Sequence, residues 1–118
     1  MSWNQKILLA SASRDATTNS DPQVNVGRWG GVLLQINITG GAGIDSVIVQ
    51  VGIQTRNPVT EAWGTLAAVF RLATVGGASY IFGQGGHVDM VLPYLWRASV
   101  IHNGAGAVEY SLSAHMLR

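Results

Sequence analysis

The sequence predicts an all-β protein: an antiparallel β-sandwich, jelly-roll-like or Ig-like, with about six to eight short strands. Three observations predict it. Apolar and polar residues alternate with a period of two in several separate segments, as half-buried strands require. Most of the fifteen glycines cluster between those segments, where chain reversals are needed. No heptad, internal repeat or long helical period competes with this reading. At 118 residues the chain is read as one β-sandwich domain, 1–118, that includes an N-terminal arm over about residues 1–28 expected to take part in assembly.

The clearest alternation lies in residues 93–116. Val108, Tyr110, Leu112, Ala114 and Met116 alternate with Glu109, Ser111, Ser113 and His115. Tyr94, Trp96, Ala98, Val100 and His102 form a similar set just before them. Asn103-Gly104-Ala105-Gly106-Ala107 lies between, and a hairpin follows with a Gly-Ala-Gly loop. In that register Trp96 faces Ala114, Ala98 faces Leu112 and Val100 faces Tyr110, large against small. A slip of one residue would mix the two faces.

The remaining elements follow in order. Residues 5–12 read as a first strand. Residues 13–28 lack an apolar period and collect Asp, Thr, Asn, Ser and Pro, so they form either a mobile crossover or a partner-binding arm. Residues 29–39 place Val32, Leu34, Ile36 and Ile38 on one face; residues 46–56 do the same with Val47, Val49, Val51 and Ile53. The glycine-rich link between these two segments implies antiparallel pairing, with 46–56 a central strand. Asn57-Pro58 opens a turn. Residues 63–74 carry the leucines and alanines of a helix but also Gly64, Val69-Phe70 and a Gly76-Gly77 stop; in an all-β chain they read as a strand. Residues 78–82 form another strand and 87–92 an additional edge. Leu33, Ile48 and Ile101 are apolar on faces that should be polar, which marks a second buried surface such as a subunit contact.

Composition excludes several function classes. Charged residues are only 11% of the chain and the net charge is +1, so there is no basic patch for nucleic acid. Cysteine is absent, which rules out disulfides and thiolate metal sites. The apolar stretch 7–12 after Lys6 is too short for a signal peptide, and no run reaches the roughly 20 residues of a membrane span. His87, His102 and His115 have no metal-ligand spacing. The carboxylates Asp15, Asp21, Asp45, Glu61, Asp89 and Glu109 form no acid–base pair, and Ser99, Ser111 and Ser113 lie on regular strands rather than a nucleophile elbow. No glycine cluster spells a phosphate-binding loop. The chain is therefore read as a non-enzyme with no catalytic, cofactor-binding or metal-ligating residues. Asn37-Ile38-Thr39 matches a glycosylation sequon but reads as ordinary strand. Trp96 belongs to the core set, Trp29 and Trp63 to core edges, and Trp3 is a candidate anchor into a neighbouring subunit.

Three runs carry a family resemblance. SASRDATTNSDPQVNVGRWGGVLLQINIT has a Thr/Asn/Ser-rich segment before a glycine and a strand ending Asn-Ile-Thr. VQVGIQTRNPVTEAW has a strand and turn of the form Ile-Gln-x-Arg-Asn-Pro-x-Thr. LPYLWRASVIHNGAGAVEYSLSAHM closes the chain with Leu-Pro-x-x-Trp-Arg followed by an aromatic-Ser strand. Together these resemble small virion proteins of tailed bacteriophages; residues 66–90 carry no such motif. The resemblance implies a capsid decoration (cement) protein. Such a protein would be made in the host cytoplasm and sit on the virion surface. It would be a homotrimer bound to the major capsid protein or another virion protein, with no nucleic-acid or membrane partner and no cofactor. Trp3, Arg14, Asp21 and Gln23 are the expected shell or subunit contacts. The alternative is a carbohydrate- or receptor-binding sandwich of a tail, head spike or baseplate, which predicts an aromatic groove at Trp63 or Tyr80.

Overall fold

The computed structural model describes residues 4–25 and 29–118. Among these, nine strands make two antiparallel sheets. Sheet A runs β1 (Gln5–Arg14), β9 (Val108–Leu117), β4 (Gly31–Gly40), β7 (Gly76–Gly83). Sheet B runs β2 (Thr18–Asn19), β8 (Leu95–Asn103), β5 (Ile48–Arg56), β6 (Trp63–Leu72), with β3 (Gln23–Val24) paired further along the same edge of β8. Counting β2 and β3 as one interrupted strand gives four strands over four, in the order of a jelly roll.

Alternation explains why the sheets stack. Val32, Leu34, Ile36 and Ile38 of β4 and Tyr110, Leu112 and Ala114 of β9 point inward from sheet A. Val49, Val51 and Ile53 of β5 and Trp96, Ala98 and Val100 of β8 point inward from sheet B. All are buried, and Phe82, Leu92, Val47, Ala73 and Leu9 join them in one core. Each large side chain so placed contributes about 1.5–3 kcal/mol. The sequence-derived inward sets of residues 29–39 and 46–56 are these same residues, and β5 is interior, between β8 and β6.

The two expected hairpins are not hairpins. β8 and β9 lie in different sheets, as do β4 and β5, so Trp96 is hydrogen-bonded beside Thr55 and Gln23 rather than Ala114. Each glycine-rich link is an arch that carries the chain from one sheet to the other. The two arches lie against each other: the Ala107 N–H donates to the Ala42 carbonyl at 2.8 Å. A Cβ on Gly106 would fall on the Gly43 carbonyl, and one on Gly104 (φ +131°) on that of Ser46. Alternation is the same in a hairpin and an arch, because in both the apolar sets of the two strands meet. In the arch they meet across the core instead of side by side. Consecutive strands pair directly only at β5 and β6 among the described residues, through residues 57–62. There the Asn57 side-chain oxygen accepts from the Val59 and Thr60 N–H groups at 2.8 and 3.2 Å, and Glu61 takes φ +62° to close the turn.

Residues 63–72 are strand, as read, because their two faces meet different neighbours: Ala67 and Val69 pack on the core while Phe70 and Leu72 face outward. Residues 87–92 form only a single parallel bridge, Phe82 to Val88, not an edge strand. The strand read over residues 5–12 is β1, and the described part of the expected arm after it is docked on sheet B. β1 pairs with β9 and buries Leu9; β2 and β3 pair with β8; Ser20 is buried and bonded to both backbone groups of Ala98 at 2.9 Å. A polar segment can dock in this way because its backbone, not its side chains, supplies the ladder.

Candidate functional site

The outer face of sheet B is the most unusual surface. Register places its side chains in rows across β6, β5 and β8: Leu72–Ile48–Asn103, then Phe70–Gln50–Ile101, then Ala68–Gly52–Ser99, with Asn19 of β2 continuing the third. None of these residues is charged. Phe70 is 69% exposed, Leu72 64% and Ile48 42%, while Ile101 is half-buried beside them. An outward apolar cluster of this kind on a solvated sheet face is the usual mark of a contact surface. Gly52 keeps the third row low, since a Cβ there would come within 2.5 Å of the Ala67 carbonyl oxygen. Ile48 and Ile101, singled out from the sequence, lie on this face; Leu33 lies on the outer face of sheet A, half-buried between Ile81 and His115.

The fourth row is polar and tied together. Arg97 Nε donates to Gln54 Oε1 at 2.8 Å, and the Gln54 amide donates to Thr65 Oγ1 at 3.3 Å. The Arg97 guanidinium stacks 4.5 Å from the Trp63 ring centroid. Beside it an open groove of about 580 Å³ runs along the β5–β6 turn, lined by Arg56, Pro58, Thr60, Trp63 and Thr65 among others. Tyr80 lies elsewhere, edge-on to His87 with centroids 6.3 Å apart.

The middle of the outer face of sheet A is small and polar, apart from Leu33 and Ile81 toward one end. Gln35 bridges to Ser79 at 3.1 Å, with Asn37, Ser111 and Ser113 around it. At one end the Gln5 amide nitrogen lies 2.9 Å from His115 Nδ1; at the other Thr39 donates to Glu109 at 2.7 Å. His102 is spent on the arch, its Nε2 2.7 Å from the Gly106 carbonyl, and His87 accepts the Ile81 N–H at 3.0 Å. Among the described residues no group of three His, Cys, Asp or Glu side chains could hold a metal, and no helix is long and apolar enough to cross a membrane.

The expected contact residues are scattered. Trp3 lies outside the described residues. Arg14 is committed inside the protein: its guanidinium stacks 4.6 Å from the Tyr110 ring and donates to the Tyr110 and Ala10 carbonyls at 2.8 and 2.7 Å. Gln23 is half-buried on β3 and accepts from Lys6 at 3.1 Å. Asp21 is exposed, with its backbone carbonyl held by Ser20 and Gln23. Of the three that lie among the described residues, Asp21 alone has an exposed side chain that is not engaged within the protein. Phe70 and Leu72 were missed because residues 63–74 carry no motif. The signal was there, however: Ala68, Phe70 and Leu72 alternate with Ala67 and Val69, so one strand is apolar on both faces.

No protein-family model matches the sequence, and no curated protein matches it either.

Proposed function

We propose that this chain is a structural virion protein of a tailed bacteriophage: a capsid decoration protein that works by adhesion and catalyses nothing. It would act on the capsid surface as a homo-oligomer bound to the major capsid protein. The observation that carries the reading is the uncharged, apolar outer face of sheet B around Ile48, Phe70 and Ile101. The resemblance of three sequence runs to small phage virion proteins supplies the context, and jelly rolls recur among capsid proteins, though a fold alone does not set a function. A clamp of this kind gains stability from its assembled state, because binding favours the folded, bound form.

The test is cosedimentation of the purified chain with undecorated capsids of the encoding phage. Saturable binding and a raised capsid melting temperature are expected, with Ile48→Lys and Ile101→Lys binding at least tenfold more weakly. Absence of cosedimentation by the wild-type chain refutes the reading.

One observation favours a second reading, a carbohydrate-binding module of a tail or spike: the groove lined by Trp63. Arg97 already occupies one face of that ring, which leaves a single face for a sugar. A glycan-array signal lost in Trp63→Ala but kept in Ile48→Lys would select it.

A further inference from the structure

A sandwich of two open sheets has four lateral edges, and an unprotected edge invites another strand. Two of the four are broken along their length and a third is covered over its last residues. β1 is broken by two register shifts, between Ile7 and Leu9 and between Leu9 and Ala12, and carries Lys6. β2 and β3 are two-residue pieces separated by Asp21-Pro22. The end of β7 is covered by the returning chain, where the Val88 N–H bonds to Ile81 and the Met90 and Val88 backbones bond to Gly83. β6 has none of these devices over residues 67–72. Its single irregularity lies at Leu66, its one charged residue is Arg71, and it contains no proline, lysine or acid.

The unpaired groups on β6 can be identified. Ala73 N–H donates to the Val47 carbonyl at 3.1 Å, and that pair continues the register Ile48–Leu72. In an antiparallel ladder bonded pairs alternate with unbonded ones, so Val69 and Arg71 turn their N–H and C=O toward β5. Ala68, Phe70 and Leu72 turn theirs away, into open space.

We infer that β6 is a self-association edge: two copies pair β6 to β6 antiparallel about a two-fold axis at Phe70, joining two B sheets into one. Phe70 is the central residue of the three whose backbone groups turn outward, and it compares well with its immediate neighbours as the axis. An axis at Val69 would extend the pairing into the irregularity at Leu66. An axis at Arg71 would set two arginines directly opposite each other, which is destabilising. An axis at Phe70 pairs Phe70 with Phe70 and Ala68 with Leu72 twice, three pairs that each exchange two backbone hydrogen bonds. It stacks aromatic on aromatic, large on small, and sets each Arg71 opposite a Val69. It also merges the outward clusters of both copies into a continuous apolar strip. The contact is isologous, so it closes at two chains rather than the three that the phage resemblance implies. It stands whether or not the chain decorates a capsid.

The test is sedimentation equilibrium of the full chain over a wide concentration range. A mass of about 25 kDa is expected, twice the 12.5 kDa of one chain. Phe70→Lys should shift it to a monomer. So should Phe70→Pro, which removes an N–H that β5 does not use. Val91→Lys, an equally exposed apolar site at 78% exposure, should leave the dimer unchanged. Because the chain has no cysteine, cross-linking then reads the register directly. Paired Cα atoms about 5.5 Å apart are within disulfide reach. Phe70→Cys should form a covalent dimer under mild oxidation, Leu72→Cys should not, and the Ala68→Cys/Leu72→Cys double variant should. A one-chain or three-chain mass for the wild type, a dimer that survives both Phe70 variants, or cross-linking by Leu72→Cys alone overturns the inference.

Discussion

The arch between β8 and β9 makes Gly106→Ala a demanding experiment. If residues 103–107 were a hairpin tip, a methyl group there would point into solvent and cost a few tenths of a kcal/mol. In the arch, the new Cβ is driven onto the Gly43 carbonyl, backbone against backbone, with Ala42 on the far side. Neither partner is a flexible side chain, so the two arches must separate. Overpacking of this kind costs about 1–3 kcal/mol. Separation also stretches the Ala107–Ala42 hydrogen bond, worth about 1 kcal/mol. The expected loss is therefore about 2–4 kcal/mol against a total stability of about 5–15 kcal/mol. Urea unfolding followed by tryptophan fluorescence measures it, with an unchanged m-value confirming that the native state and not the unfolded chain is affected. Gly64→Ala is the control. Its Cβ meets nothing within 4 Å, so it should be neutral or stabilising by up to about 1 kcal/mol. If Gly106→Ala unfolds within about 0.5 kcal/mol of wild type, the arch packing described above is wrong.

Two further perturbations follow from the core. Burial raises the Tyr110 phenol above its ordinary value, while the Thr18 side chain beside its hydroxyl and the Arg14 guanidinium pull more weakly the other way. A raised folded-state value means stability that is complete below the unfolded value of about 10 and is lost as pH rises through the folded one. Tyr110→Phe should thus be nearly neutral at neutral pH and lose less stability than wild type above pH about 10; equal alkaline losses in urea melts would contradict this. Deleting residues 1–20 strips β1 from β9 and removes Leu9 and Ser20 from the interior, so circular dichroism should show loss of cooperative unfolding rather than a folded truncation. A cooperatively melting truncation would show that β1 is dispensable.

Much of the layer structure was legible in the sequence, because alternation is local and burial selects it. Val32 to Ile38, Val49 to Ile53 and Val108 to Ala114 reveal their inward faces without any knowledge of neighbours. Which strand pairs with which was not legible. Trp96 and Ala114 serve the same core whether they sit side by side or across it, and the preference for pairing sequence neighbours misleads in a jelly roll, where β5 and β6 alone obey it among the described residues. The N-terminal segment misled for the opposite reason. Thr18, Asn19 and Gln23 have the composition of a loop, yet they are held by backbone bonds to β8 that leave no trace in side-chain pattern. The apolar face was half legible: Ile48 and Ile101 stood out on strands of clear period, whereas Phe70 sat in a segment whose helical composition concealed its alternation.

The position of β9 bears on how the polypeptide acquires its structure during synthesis. β9 is made after every other strand, yet it lies between β1 and β4. Until β9 has emerged from the ribosome, those two early segments have no shared neighbour, and sheet A cannot close. The local β5–β6 pairing can form at once, while the remaining ladders wait for distant partners, a topology that folds on the millisecond-to-second scale. Sheet A is therefore completed only after translation of β9.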